Sequence, residues 1–401
     1  MTIYASNYNV ELRDKAGTLK EYLTPFVSKV SWTWNRKGGC GRCKFTLKVP
    51  YRKLTFSAMD NIQIRIKDFV SGGSKLVYQG WISSPTPKLK VGQEISVNVR
   101  GYWDLLKHIM VQDDGDIMSY EGYDIHDIVE DIANTFIVPN TAISKGTIDT
   151  STFNADILEF QTSIQETLRT LSDLLGDVEY GVDENLSFFW RTENTAVRKK
   201  FIVGLDIAVL SRKVDYSQIV NKIFFEGGVV SDVVYRKTVQ STDSQYVYFL
   251  AEAFLVNSSI VTSSVADQYL TAQLQQKSTP KYLMRIKIPN TSFRFEDTLP
   301  LGRVSIYDPE YDEDNVTAGL WGKTASGGSN WIWGKTKDGG RGALWGGGGG
   351  GYQDQINSIK YTLSNTEGKF NINLSLGGTT DETAAKLKRL DLLTSNIRQR
   401  G

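Results

Sequence analysis

Histidine and cysteine are scarce in this chain: two of each in 401 residues, His108 and His126, Cys40 and Cys43. That shortage removes most of the side chains with which enzymes move protons near neutral pH or hold transition metals. The cysteines form a C-x-x-C in GGCGRC, half of a zinc or iron–sulfur site or a redox dithiol, and no second pair completes it. The other reading is two small residues in the glycine-rich turn of a hairpin. His126 stands among Asp124, Asp127 and Asp131, a set able to hold a cation or simply to solvate one helix face. No HExxH and no nucleophile elbow occurs. Two Gly-Lys-Thr triplets start at Gly322 and Gly334, but the glycine a phosphate loop needs five residues earlier is replaced by Thr317 and Ser329. Asp308 with Glu310, and Asp312 to Asp314, offer carboxylate pairs of the kind used by glycosidases or calcium sites, and equally ordinary surface acidity. The expectation is a chain with no catalytic residue, no metal and no cofactor.

Charge of one sign is also lacking. Forty-six basic and forty-five acidic residues leave a net charge of +1, so bulk electrostatics predict neither nucleic-acid nor membrane binding. No apolar run approaches the roughly 20 residues that span a bilayer, and MTIYASNYNVELRDK lacks the order of a signal peptide, which predicts folding in a cytoplasm. What is present is enough apolar residue, 40% of the chain, to bury cores, and a length that predicts two to four domains.

Residues 1–101 read as short strands between turns, a small barrel-like β domain. Val30, Trp32 and Trp34 alternate on one face of a strand from Val27 to Asn35, and Arg36-Lys37-Gly38-Gly39 supplies a turn. Residues 102–200 read as α+β, with an amphipathic helix near Tyr123 to Thr135 and a helix, stop and hairpin over Thr162 to Arg191. In that unit Thr162 with Gln165, or Ser163 with Glu166, offers the cap, Ile164, Leu168, Leu171 and Leu175 make one stripe, and Gly176 ends the helix. Residues 201–240 and 289–378 read as a second barrel-like β domain, split by an α+β insertion over 241–288. Its clearest strand, Ile219 to Val230, is expected to break or bulge at Gly227-Gly228. Within the split domain, 316–352 repeats a Trp-Gly unit that places Trp321, Trp333 and Trp345 twelve residues apart. Such glycine-rich sequence predicts an exposed loop whose tryptophans contact a glycan or partner protein, or pin the loop to its own domain. Residues 379–401 predict a helix with apolar Ala384, Leu387, Leu390, Leu393 and Ile397. The fold class expected is mixed β and α+β: two small antiparallel β-barrels with α+β domains between and within them.

This serial order resembles the tail hub family of tailed phages, comprising the baseplate hub of contractile tails and the N-terminal hub region of siphophage tail-associated proteins. The segments carrying it are WTWNRKGGCGRCKFTLKVP, VYQGWI followed by VNVRGYWDLL, LRTLSDLLGDVEYGVDENLSFFW and IVNKIFFEGG, within residues 5 to 380. The resemblance implies a non-enzymatic virion protein of the tail tip or baseplate, assembled in the host cytoplasm. It implies a homotrimer whose two similar β domains per chain form a pseudo-sixfold ring that continues and closes the tail tube. Its implied partners are the distal tail or tail tube protein, the tape measure protein and tail fibre or spike proteins, with DNA in transient passage. A ring that lets DNA through also predicts neutral or acidic lumen residues, because each neutralised phosphate adds affinity.

Overall fold

The computed structural model describes residues 8–48, 56–57, 59–67, 73–83, 94–151, 153–176, 178–194, 197–203, 206–207, 209–230, 233–288, 302–307, 352–364 and 369–376. The first part contains β1 (Tyr8–Arg13), β2 (Leu19–Tyr22), β3 (Val27–Asn35), β4 (Lys37–Lys48), β5 (Asn61–Lys67), β6 (Ser74–Ile82) and β7 (Glu94–Gly101). They pair in the order β3-β4-β7-β6-β5-β1-β2. Alternation sets which face is buried: Val30, Trp32 and Trp34 of β3 point inward with Phe45 and Leu47 of β4 and Ile62, Ile64 and Ile66 of β5.

The second part holds β8 (Met110–Val111), β9 (Met118–Asp124), α1 (Ile125–Ile132), β10 (Ser144–Ile148), β11 (Asn154–Phe160), β12 (Thr162–Ser163), α2 (Ile164–Leu175), β13 (Val178–Val182) and β14 (Ser187–Thr192). Ser163 caps α2 by accepting from the Glu166 N–H, and Gly176 ends it at φ 85°. The β13–β14 hairpin joins the first sheet by a short parallel pairing with β4, Tyr180 to Val182 against Lys37 to Gly39. The backbones come so close that a Cβ on Gly39 would lie 2.0 Å from the Val182 carbonyl oxygen, and one on Gly181 2.3 Å from the Gly38 carbonyl carbon. Glycine on both strands is what permits this join.

The third part runs through β15 (Val197–Ile202), β16 (Val209–Asp215), β17 (Lys222–Val230), β18 (Val233–Gln240), α3 (Thr242–Tyr248), β19 (Glu252–Val256), α4 (Ser263–Lys277), β20 (Lys281–Ile288), β21 (Arg303–Tyr307), β22 (Tyr352–Ser364) and β23 (Lys369–Leu376). Its large-sheet strands pair in the order β16-β20-β23-β22-β21-β15. Position by position this repeats β3-β4-β7-β6-β5-β1, in the same chain order. Every neighbouring pair is antiparallel in both motifs except the last, antiparallel for β1 and β5 and parallel for β15 and β21. β17, β18 and β19 form a separate three-stranded sheet, with a register shift at Gly227-Gly228 between Glu226 and Val229.

The class is mostly β with helices, α+β, but the two expected barrels do not close among the described residues. β3 gives its outer edge to β22 of the other motif instead of to a strand of its own, and the two motifs run together in one 16-stranded sheet. Two cores result. One runs through both motifs; the other is shared by α1, α2 and the β13–β14 hairpin with β17 and α4.

Candidate assembly surface

The strand pair that joins the motifs is built from alternating apolar residues. β22 lies antiparallel to β3 from Ser358 opposite Asn35 to Ser364 opposite Lys29, which sets Tyr361 beside Trp32, Ile359 beside Trp34 and Leu363 beside Val30. All six of those apolar side chains are buried. Trp32 stacks on Tyr361 with centroids 5.1 Å apart, and Trp34 stacks on Phe189 of β14 at 5.7 Å. At the turn end of β3, the Arg36 N–H donates to the Asn357 carbonyl at 2.9 Å. The Arg36 guanidinium lies 3.1 Å from Glu193, whose other oxygen is 3.5 Å from Arg303. One carboxylate after β14 thus ties the turn of the first motif to β21 of the second. Sequence spacing holds no trace of that triad, whereas the aromatic alternation of β3 is visible in the sequence without naming its partner strand.

The residues singled out from the sequence fall elsewhere. Cys40 and Cys43 are buried, unpaired thiols in β4, and burial pushes both well above the ordinary thiol value, away from the thiolate that metal or redox chemistry uses. Two of the acidic groups near His126 are separately engaged: Asp124 caps α1, accepting from the His126 N–H, while Asp131 accepts from the hydroxyls of Tyr120 at 2.6 Å and Thr135 at 2.9 Å. No grouping of three or more metal-ligating side chains occurs among the described residues. Trp321, Trp333 and Trp345, with the rest of the repeat before Tyr352, lie outside the described residues, as do Asp308, Glu310, Asp312 to Asp314 and the helix expected over 379–401. No helix of the described residues is long and apolar enough to cross a membrane.

One edge of the large sheet has no strand partner among the described residues. β16 holds, in the second motif, the place that β3 holds in the first, and pairs among the described residues only with β20. The edge equivalent to the one β3 gives to β22 is therefore open on β16, where Val209 is exposed. Compared with solved structures, the chain superposes on the 43 kDa tail protein of prophage MuSo2 from Shewanella oneidensis. The TM-score is 0.59 at 13% identity, over 92% of this chain and 97% of that one. The chain shares the fold of that tail protein. A tail protein from Neisseria meningitidis MC58 shares it, with a TM-score of 0.60 at 12% identity over 94% and 98% of the two chains. No protein-family model and no curated protein sequence matches the chain. Likeness of fold at such low identity means that the arrangement of strands, more than individual side chains, is what the tail-protein fold holds in common here.

Proposed function

We infer that this chain is a non-enzymatic structural protein of a phage tail, a hub at the tail tip or baseplate of the virion. Three copies form a pseudo-sixfold ring that continues and closes the tail tube. The observation that carries this reading is the way β22 meets β3. The contact is head-to-tail: the fourth strand position of one motif pairs with the first of its repeat, leaving the same first-strand edge free on β16. A heterologous contact that repeats makes a closed ring where its rotation closes and an open filament where it does not. Three chains of two motifs would give six β domains around one channel, each motif completing its barrel through its neighbour. The tail-protein fold, near-neutral charge and scarcity of catalytic residue types agree with a mechanical role.

In this reading the ring contacts the distal tail or tail tube protein on one side and fibre or spike proteins on the other. It releases the tape measure protein and DNA through a neutral or acidic lumen, and assembles in the host cytoplasm. Light scattering over a range of concentrations tests it. The expected mass is about three times 44.9 kDa, with threefold particles in electron cryomicroscopy; a mass of one chain at every concentration removes the self-closing ring. The even spacing of Trp321, Trp333 and Trp345 in glycine-rich sequence supports a second reading, glycan or receptor contact by that loop. Its mark is tryptophan quenching by glycan, lost when the three are changed to alanine.

A further inference from the structure

Among the described residues, the β18-β17-β19 sheet is covered on one face only. Ile223 and Phe225 of β17 and Leu255 of β19 pack into the core that α4 shares. On the opposite face Leu250, Glu252, Phe254 and Val256 point outward in one alternating row, with Phe224 paired beside Phe254. Phe254 is 62% exposed, Val256 63% and Phe249, at the end of the row, 84%. Phe249 is also fixed at φ 62°, a region non-glycine residues seldom occupy. Its carbonyl accepts from Nδ2 of the fully buried Asn221 at 2.6 Å, and the Asn221 side-chain oxygen accepts from Ala251 N–H at 2.8 Å. A buried clamp thus holds a bulky ring out in water, an arrangement that favours an apolar partner on this face.

The chain carries a segment of matching chemistry within reach. β23 ends at Leu376, opposite Met284 of β20, three residues from the Lys281 start of that strand. The chain before Lys281 is tied to α3, because the Ser244 hydroxyl donates to the Ser278 carbonyl at 2.5 Å. Strand β23 therefore ends on the side of the sheet from which α3 and this row extend, and Leu376 is followed in sequence by residues outside the described ones. They include Ala384, Leu387, Leu390, Leu393 and Ile397. As a helix, the span from 384 to 397 measures about 20 Å, and the row from Leu250 to Val256 also runs about 20 Å. We propose that residues 379–400 lie as a helix across this row, with Leu387, Leu390 and Leu393 against Leu250, Phe254 and Val256. The small sheet then has a helix on each face, α4 on one and this segment on the other. The proposal stands apart from the ring.

The test is the rate at which a maleimide labels Phe254→Cys, with Val256→Cys as a second probe position. Cys40 and Cys43 are buried and do not compete. Labelling in the full chain is expected to be about tenfold slower than in a chain stopped after Gly378 or in a full-length Leu390→Asp variant, which also serves if the shortened chain fails to fold. Mild oxidation of the pair Phe254→Cys and Leu390→Cys is expected to cross-link within one chain. Equal labelling rates in the full chain and both variants overturn the proposal. A cross-link that joins two chains also overturns it, because a second copy then occupies the face.

Discussion

Glu193 sits between the guanidinium groups of Arg36 and Arg303, its side chain only 10% exposed. Changing it to glutamine leaves two cations facing each other with no anion between them. Removing one member of a buried ion pair costs about 3–5 kcal/mol; residual solvent at the two arginines brings the expected loss for Glu193→Gln to about 2–3 kcal/mol, read from urea unfolding. The thiols of Cys40 and Cys43 should stay unreactive toward a disulfide reagent in the native protein and both react once it is unfolded, since burial disfavours their thiolates. Burial also pushes the phenols of Tyr102 and Tyr180 up to about 12, from an ordinary 10. The unfolded chain loses those protons first, so their contribution to stability is whole below about pH 10 and drains away as pH rises to about 12. Circular dichroism against pH should show alkaline unfolding across that window, shallower in Tyr180→Phe. None of these roles except the scarcity of reactive groups was legible in the sequence, because Arg36, Glu193 and Arg303 meet only through the fold.

At the scale of elements, local chemistry was the better guide. The Gly176 stop of α2 and the irregularity of β17 at Gly227-Gly228 stand where the sequence placed them; of the two caps it offered, Ser163 serves, and the stripe through Ile164, Leu168 and Leu171 ends on fully buried Leu174, with Leu175 only partly buried. The helix read as Tyr123 to Thr135 is α-helical only over Ile125–Ile132 and widens into a π-turn through Ala133–Ile137. The turn read at Arg36 to Gly39 is in part strand, because Gly38 and Gly39 pair with β13, a partner 140-odd positions away that no local pattern announces. α3 was hidden in an aromatic run whose rings face outward and give no buried periodicity. The glycine contact between β4 and β13 makes a sharp prediction: Gly181→Ala should cost about 3 kcal/mol and loosen the hairpin, visible as faster amide exchange over Val178–Val182. Where β22 meets β3, Trp32→Ala removes the ring stacked on Tyr361 and should cost about 3–5 kcal/mol in chemical denaturation.

At the scale of the molecule, the sequence suggested two β domains, and what it hid was their continuity. Alternation in β3 and β22 tells which side chains are inward but not that the two strands are neighbours, since register is decided by pairing across more than three hundred residues. The open edge of β16 is where this continuity can extend. Val209→Lys places a charge on that edge and should leave the monomer's denaturation midpoint unchanged while raising the concentration for half-assembly by about tenfold or more, measured by light scattering.

The internal repeat also bears on how such a ring would come apart. Half of its six junctions are of the β22–β3 kind and are tethered by the chain itself, so their formation is set by a local effective concentration and not by how much protein is present. Dilution would act only on the other half. A ring built this way would shed paired motifs and never single ones, and would need two encounters between molecules, its last junction closing within the assembled trimer, where separate domains would need five.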